Sequence, residues 1–218
     1  EQLNTAFFEV VFDAPNGERQ RLGDILRRTK NHPSSGASSN KRNFTLLGDV
    51  ALLYAIPQAE VRTSEINGIP VDAMADTLRA LDRVEVRGYI SDESGNLLTD
   101  FNGFVYPTVF DQKLEVTTLN NDGGSGGVSY EEWRNRLYSG AVRAEGGVFA
   151  FEFIVPRDIS YDAAPGRISY YAVDGDLDAH GYTEAVFVGG VSEDAVLDNT
   201  GPEISLFLND STFADGGT

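Results

Sequence analysis

Three aspartates at alternating positions form the strongest candidate for chemistry in this sequence. Asp174, Asp176 and Asp178 lie in the segment VDGDLDAHG, and their carboxylates could together hold one hard cation such as calcium. The spacing copies only the first half of an EF-hand loop, because Ala179 and Ala185 occupy positions where that loop needs glycine and glutamate. We therefore predict either a calcium site on these three aspartates or a solvated acidic hairpin.

The sequence contains no recognisable catalytic motif. The sequence contains no cysteine, which excludes disulfides, thiolate metal sites and a cysteine nucleophile. His32 and His180 are too few and too far apart for a zinc set, and each is interpreted as an ordinary surface or turn residue. A G-x-S-x-G match centred on Ser125 lies in the glycine-rich stretch NNDGGSGGVS, which predicts a mobile loop rather than a nucleophile elbow.

Aromatic side chains offer a second kind of site. A sugar-binding platform could be built from five of them: Tyr130, Trp133, Tyr138, Tyr170 and Tyr171. Tyrosine and tryptophan on half-buried strands are more often part of a core or its rim. Both interpretations stay open at this point.

Charge and hydropathy limit the partners. The formal net charge is −17, which repels nucleic-acid phosphates and anionic lipid surfaces. No apolar run approaches the roughly 20 residues of a membrane-spanning helix, and no signal peptide is visible at the start. We expect an acidic protein that neither binds nucleic acid nor inserts into a membrane.

The first quarter of the chain predicts one helix and one strand. Leu22, Ile25 and Leu26 follow helical spacing, and the helix should end at Asn31, before Pro33. Residues 31–43 are rich in serine, glycine and asparagine and predict a flexible surface loop. The apolar run at residues 44–47 then predicts a buried strand.

From residue 58 onward, period-two alternation between turn signals predicts an antiparallel, immunoglobulin-like β-sandwich of about seven strands. In residues 148–155, Phe149, Phe151 and Phe153 should point into the core. Pro107 should lie on an edge strand or at a bulge, and Gly95 should supply the positive φ of a turn at residues 92–96. The fold class is thus mainly β, with a short α/β remnant at the N-terminus.

This organisation predicts three segments. Residues 1–56 form the α/β remnant, residues 57–190 form the sandwich, and residues 191–218 form a linker and the first strand of a further β-domain. A helix and strand taken from a larger sheet should expose apolar Phe7, Val10, Leu46 and Leu47. We expect both ends of the chain to continue into neighbouring domains.

Several segments resemble gingipain-like cysteine peptidases, in particular the sortases of the type IX secretion system. The helix at residues 22–31 and the Leu47, Gly48, Asp49 turn resemble the end of the caspase-like domain, although Val50 replaces the usual proline. Residues 97–103, VYPTVFD, residues 168–174 and residues 198–210 resemble the β-rich region that follows. Residues 1–56 would then be the C-terminal remnant of the peptidase domain.

The resemblance implies a parent protein with activity outside this chain. That parent is a cell-surface, outer-membrane-associated cysteine endopeptidase that removes the C-terminal signal from secreted cargo and attaches the cargo to lipopolysaccharide. Its catalytic cysteine and histidine match no position here, so the resemblance implies a chain with no catalytic residues and no cofactor beyond the calcium candidate. The implied partners are the upstream peptidase domain and secretion-system proteins or secreted cargo. The alternative is a stand-alone adhesion or carbohydrate-binding module, with or without calcium.

Overall fold

The chain forms two compact units, unit 1 (Glu1–Gln58) and unit 2 (Ala59–Thr218). The computed structural model describes residues 2–13, 20–36, 39–73, 76–121, 126–175 and 177–192. Within these ranges, every helix is too short or too polar to cross a membrane. The two units are described separately below.

Unit 1 is built from two short helices. These are α1 (Gln2–Val11) and α2 (Leu22–Asn31), followed by 3-10 turns at Pro33–Ser35 and Ser39–Asn43. α2 ends at Asn31 as predicted, and Arg28 and Lys30 in its last turn complement the helix dipole. The sequence analysis did not predict α1. Val10 and Val11 of α1 pack against Ile25 of α2, and this small cluster is the core of unit 1.

The strand predicted at residues 44–47 is wrong. Those residues are irregular, Phe44 is exposed and Leu47 is 94% exposed. The backbone carbonyls of Leu52 and Val50 instead accept hydrogen bonds from the amides of Leu22 (2.9 Å) and Gly23 (3.0 Å), which would otherwise lack partners at the start of α2. The expected α/β remnant is therefore helical, with only an isolated bridge between Arg21 and Leu53 among its described residues.

The predicted loop at residues 31–43 is also more ordered than expected where it is described. Its two 3-10 turns are joined by Lys41, whose ammonium donates to Ser35 Oγ (3.1 Å) and to the carbonyl of Gly36 (2.9 Å). Serine and asparagine form such local hydrogen bonds readily. A composition rich in these residues therefore does not distinguish an ordered turn from a disordered loop.

Unit 2 is mainly β, which confirms the predicted fold class. Its described strands are β1 (Ala59–Ile66), β2 (Ile69–Pro70), β3 (Asp76–Ala80), β4 (Arg83–Ser91), β5 (Gly103–Phe110), β6 (Leu114–Thr117), β7 (Ser129–Glu132), β8 (Arg136–Ser139), β9 (Val142–Ala144), β10 (Val148–Ile154), β11 (Ala164–Pro165), β12 (Arg167–Val173), β13 (Asp178–Thr183) and β14 (Val186–Val191).

These strands form one large and two small sheets. The nine-stranded sheet has the order β10-β4-β1-β13-β12-β5-β8, with β2 added to β1 and β9 added to β5. The smaller sheets are β11-β14-β3 and β6-β7. The prediction of a purely antiparallel arrangement is wrong at two pairs, because β1 runs parallel to β13 and β14 runs parallel to β3. Alternation along one strand carries no information about the direction of its neighbour.

The core of unit 2 is aromatic and aliphatic. Phe149, Phe151 and Phe153 of β10 point inward as predicted, each no more than 6% exposed. Tyr138 of β8 stacks on Phe151 and Phe153, with ring centroids 5.3 Å and 5.2 Å apart. Because β10 and β8 stand at opposite ends of the nine-stranded order, the sheet folds back on itself and gives the unit its sandwich-like core.

Pro107 was predicted on an edge strand or at a bulge, and the edge placement is wrong because β5 is an interior strand. β5 pairs with β12 on one side, and on its other side the partner changes from β9 at Val105 to β8 at Thr108. Pro107 falls in the gap between those two partners. A proline, which has no N–H to donate, is tolerated where a ladder is interrupted.

The turn predicted at residues 92–96 is confirmed. Gly95 has φ +85°, and the Asp92 carboxylate accepts hydrogen bonds from the backbone amide (2.9 Å) and side-chain amide (3.0 Å) of Asn96. These bonds, that of the Asn96 side chain first, hold the pKa of Asp92 below its ordinary value.

Candidate binding cleft

A row of polar and aromatic side chains crosses the outer face of the nine-stranded sheet. Cross-strand pairing places Glu60 of β1 beside His180 of β13, His180 beside Tyr171 of β12, and Tyr171 beside Tyr106 of β5. Paired residues share a face, and the alternate residues of these strands are buried, so the row faces outward. The two tyrosine rings stack with centroids 6.3 Å apart and are each more than two-fifths exposed. We call these four residues the outer row.

An open cleft of about 710 Å³ adjoins one end of the outer row, where Glu60, Arg62, Tyr89, His180 and Tyr182 line it. Arg62 donates from Nε and Nη2 to Glu60 Oε2, at 2.9 Å and 2.5 Å. The hydrogen bond to Glu60, and then the charge of Glu60, raise the pKa of Arg62. The two charges therefore neutralise each other within the cleft.

Tyr182 is the most exposed aromatic ring of the cleft. The guanidinium carbon of Arg167 lies 4.0 Å from the ring centroid, a cation–π contact. Arg167 also donates to Ser169 Oγ (3.0 Å) and to Glu184 Oε1 (3.3 Å). These bonds anchor the guanidinium, which in turn limits the orientations of the Tyr182 ring.

The floor of the cleft is the parallel contact between β1 and β13. Gly181 permits this contact, because a β-carbon there would collide with the carbonyl oxygen of Val61. Below the floor, the Thr63 and Tyr170 hydroxyls are 2.7 Å apart. Burial raises the pKa of Tyr170, although the hydrogen bond to Thr63 opposes the shift. The floor of the cleft is thus a closely packed sheet, and Val71 and Asp72 of the turn after β2 complete its lining.

The predicted calcium residues are only partly described. Asp174 Oδ2 accepts a hydrogen bond from the amide of Asn102 (3.2 Å), and the Asp174 amide donates to the carbonyl of Leu177 (3.0 Å). Asp178 begins β13 opposite Val173, and Asp176 lies outside the described residues. No group of three histidine, aspartate or glutamate side chains suited to a metal ion occurs among the described residues. A calcium site here stays a prediction.

The predicted aromatic platform is divided among separate places. Tyr138 and Tyr170 belong to the core, and Tyr130 lies on the small β6-β7 sheet. The ring centroid of Trp133 lies 5.2 Å from the ammonium nitrogen of Lys113. Of the five predicted residues, only Tyr171 belongs to the outer row.

The sequence analysis missed the other members of the outer row and cleft. Tyr106 and Tyr182 occupy the outward phase of their strands, which alternation along β5 and β13 could have revealed. His180 was interpreted as an ordinary surface or turn residue; it is exposed on β13, as that interpretation requires, and it also lines the cleft. His32 belongs to unit 1, where its Nδ1 lies 3.2 Å from Glu9 Oε2.

The fold and composition define a β-rich, sandwich-like chain without a thiol nucleophile. Among solved structures, this chain is similar to dimeric latent PorU from Porphyromonas gingivalis. The similarity has 33% sequence identity and a TM-score of 0.61, and it covers 94% of this chain. It spans only 20% of the PorU chain. The chain is therefore PorU-like in sequence and fold along nearly all of its length, and corresponds to about one-fifth of that protein.

The other comparisons add little. The sporulation control protein Spo0M from Bacillus subtilis matches with 14% identity and a TM-score of 0.33, over 62% of this chain and 50% of its own, which is too distant to support an argument. No protein-family model and no curated protein matches the chain.

Proposed function

We propose that this chain is a non-catalytic, structural part of a PorU-like cysteine endopeptidase of the gingipain-like family, secreted to the cell surface and associated with the outer membrane. The similarity to PorU along 94% of the chain carries this proposal. The lack of any cysteine is consistent with a non-catalytic, structural role, because the nucleophile of such an enzyme must then lie outside this chain.

The apolar surface of unit 1 supports a contact with the rest of such a protein. α1 buries Ala6, Val10 and Val11, yet Phe8 of the helix and Phe12 directly after its end are exposed. Large apolar side chains exposed together on one short segment are typical of a surface that contacts another part of a larger protein. Val50, Leu52 and Leu53, which follow the irregular segment, are also at least half exposed. We propose that the upstream peptidase domain covers this surface, and that unit 2 orients that domain toward secretion-system proteins or cargo.

Hydrogen exchange would test the proposed contact. The chain would be compared alone and joined to the upstream peptidase domain of the PorU-like protein. Amides in α1 and in residues 50–54 should exchange at least about tenfold more slowly when the peptidase domain is present, because covered surface opens less often. The loop around the exposed Tyr161 should exchange equally in both proteins.

A pair of variants makes this test specific. Phe8→Ser should abolish the added protection and lower peptidase activity in the joined protein, whereas Tyr161→Ser should change neither. Equal exchange of α1 with and without the peptidase domain would overturn the proposed contact. Peptide hydrolysis by this chain alone would overturn the non-catalytic role.

A further inference from the structure

We propose that the cleft beside the outer row binds a neutral oligosaccharide. Tyr171 and Tyr182 would contact the C–H faces of the sugar rings, and Glu60, Arg62 and His180 would bond to the hydroxyls. The inference concerns a ligand of unit 2 and does not depend on the proposed contact of unit 1.

The aromatic groups are placed for contact with a ligand. Tyr182 is 61% exposed, and Arg167 lies over its ring, which leaves the opposite ring face for another contact. Tyr106 and Tyr171 extend the exposed surface along the outer row. Exposed aromatic rings carried side by side on a sheet provide apolar contact at low entropic cost, because each ring has few rotatable bonds.

The polar groups match hydroxyl chemistry. A sugar hydroxyl both donates and accepts a hydrogen bond. Arg62 engages Oε2 of Glu60, so Oε1 can accept from a hydroxyl, and the remaining guanidinium N–H groups can donate to one. His180 adds a donor and an acceptor next to Glu60. Adjacent donors and acceptors of this kind suit the neighbouring hydroxyls of a sugar ring.

The electrostatics favour a neutral ligand. Arg62 is the one lysine or arginine among the described residues that line the cleft, and Glu60 neutralises it. Asp72 adds a further carboxylate to the lining, so the cleft repels an anionic ligand. The net charge of −17 further repels an anionic ligand. A protein partner fits less well, because the cores of protein interfaces are depleted of glutamate and aspartate, whereas Glu60 and Asp72 both line this cleft.

Titration calorimetry with the folded chain would test the proposal. The ligands would be neutral oligosaccharides of hexoses, N-acetylhexosamines and deoxyhexoses, together with sulfated and uronic-acid counterparts. We expect at least one neutral series to bind, and its affinity to fall about tenfold or more in Tyr182→Ala and in Glu60→Gln. Tyr161→Ala is the matched control, since Tyr161 is exposed outside the cleft, and it should bind as the original chain does.

Each other outcome overturns the proposal. It fails if no neutral oligosaccharide binds to chain whose circular dichroism shows the native fold, or if the anionic counterparts bind more tightly. It fails equally if Tyr161→Ala weakens binding as much as Tyr182→Ala does. Binding of a protein partner that depends on Tyr182, without any sugar binding, would show that the cleft is a protein interface.

Discussion

Unit 1 and unit 2 differ in the size of the apolar core that each buries. Unit 2 folds its large sheet back on itself and buries Phe149, Phe151 and Phe153, while the two tyrosines of its outer row lie exposed next to His180. Unit 1 buries a small cluster around Val10 and Ile25 and exposes Phe12 and Leu47. Burial of apolar area is the main favourable term in folding. Unit 2 therefore contains its own stabilising core, and unit 1 gains from a partner that covers it.

The largest effect should come from the core of unit 2. Phe151→Ala removes a buried ring that contacts Tyr138 and Phe153, and should lower the free energy of unfolding by about 3–5 kcal/mol. Urea unfolding, followed by far-ultraviolet circular dichroism, measures this change. Ile154→Ala is the control on the same strand, because Ile154 is 53% exposed, and it should cost less than about 0.5 kcal/mol. Equal costs for the two variants would contradict the folded-back sheet.

A second comparison uses one glycine from each unit. Gly181→Ala forces a β-carbon against the Val61 carbonyl between two sheet strands and should cost about 1–3 kcal/mol. Gly23→Ala places its β-carbon 3.0 Å from both the Cβ and the carbonyl oxygen of Val50, a contact that a shift of a few tenths of an ångström in this more than half exposed residue relieves. Alanine also favours the helix by about 1 kcal/mol, so the net change at Gly23 should stay below about 1 kcal/mol. Thermal unfolding of both variants checks this, and a larger loss at Gly23 would show unit 1 to be the more tightly packed.

The smallest effect should come from Tyr170. Tyr170→Phe removes its hydrogen bond to Thr63 and should cost about 1 kcal/mol at neutral pH. Burial raises the pKa of Tyr170 in the folded state, whereas an unfolded tyrosine ionises near pH 10. The stability that Tyr170 provides is therefore complete below about pH 10 and is lost as the pH rises above that value, by up to about 1.4 kcal/mol per pH unit.

Urea unfolding between pH 8 and about pH 11 would measure this dependence. The stability of Tyr170→Phe should fall less steeply above about pH 10 than that of the original chain. Tyr171→Phe, at the neighbouring exposed position, should retain the original slope. Identical slopes for all three proteins would mean that Tyr170 ionises in the folded state as freely as in the unfolded one.

Secondary structure can be predicted from the sequence where apolar residues recur at the regular spacing of a strand or a helix. The phenylalanines of β10 alternate strictly, and Leu22 and Ile25 of α2 follow helical spacing, so both elements are predictable from a few adjacent residues. α1 carries the same signal in Leu3, Ala6, Phe7 and Val10, and the sequence analysis overlooked it because the adjacent apolar Phe8 and Val11 widen the stripe. The run at residues 44–47 looks like a strand, but no described strand pairs with it, and a strand without a neighbour has no ladder.

The candidate cleft depends on non-local pairing, which explains why the sequence analysis missed most of it. Glu60 and His180 meet only because β1 lies parallel to β13, and no short-range signal specifies that neighbour. Alternation could show that Tyr106 and Tyr182 point outward, but only the strand order shows that both lie on the same face of one sheet as Tyr171. Asp174 was noticed for its charge, but the described contact of its carboxylate is a hydrogen bond that it accepts from the backbone amide of Asn102.

The parallel pairing of β1 and β13 has a consequence for assembly. β1 opens unit 2, and β13 is the second-last of its described strands, so the two strands of the cleft floor are far apart in sequence. Contacts between residues so distant in sequence form slowly, since a long chain segment must first be ordered. The cleft should therefore be among the last features to mature during folding, and an incompletely synthesised domain would lack it.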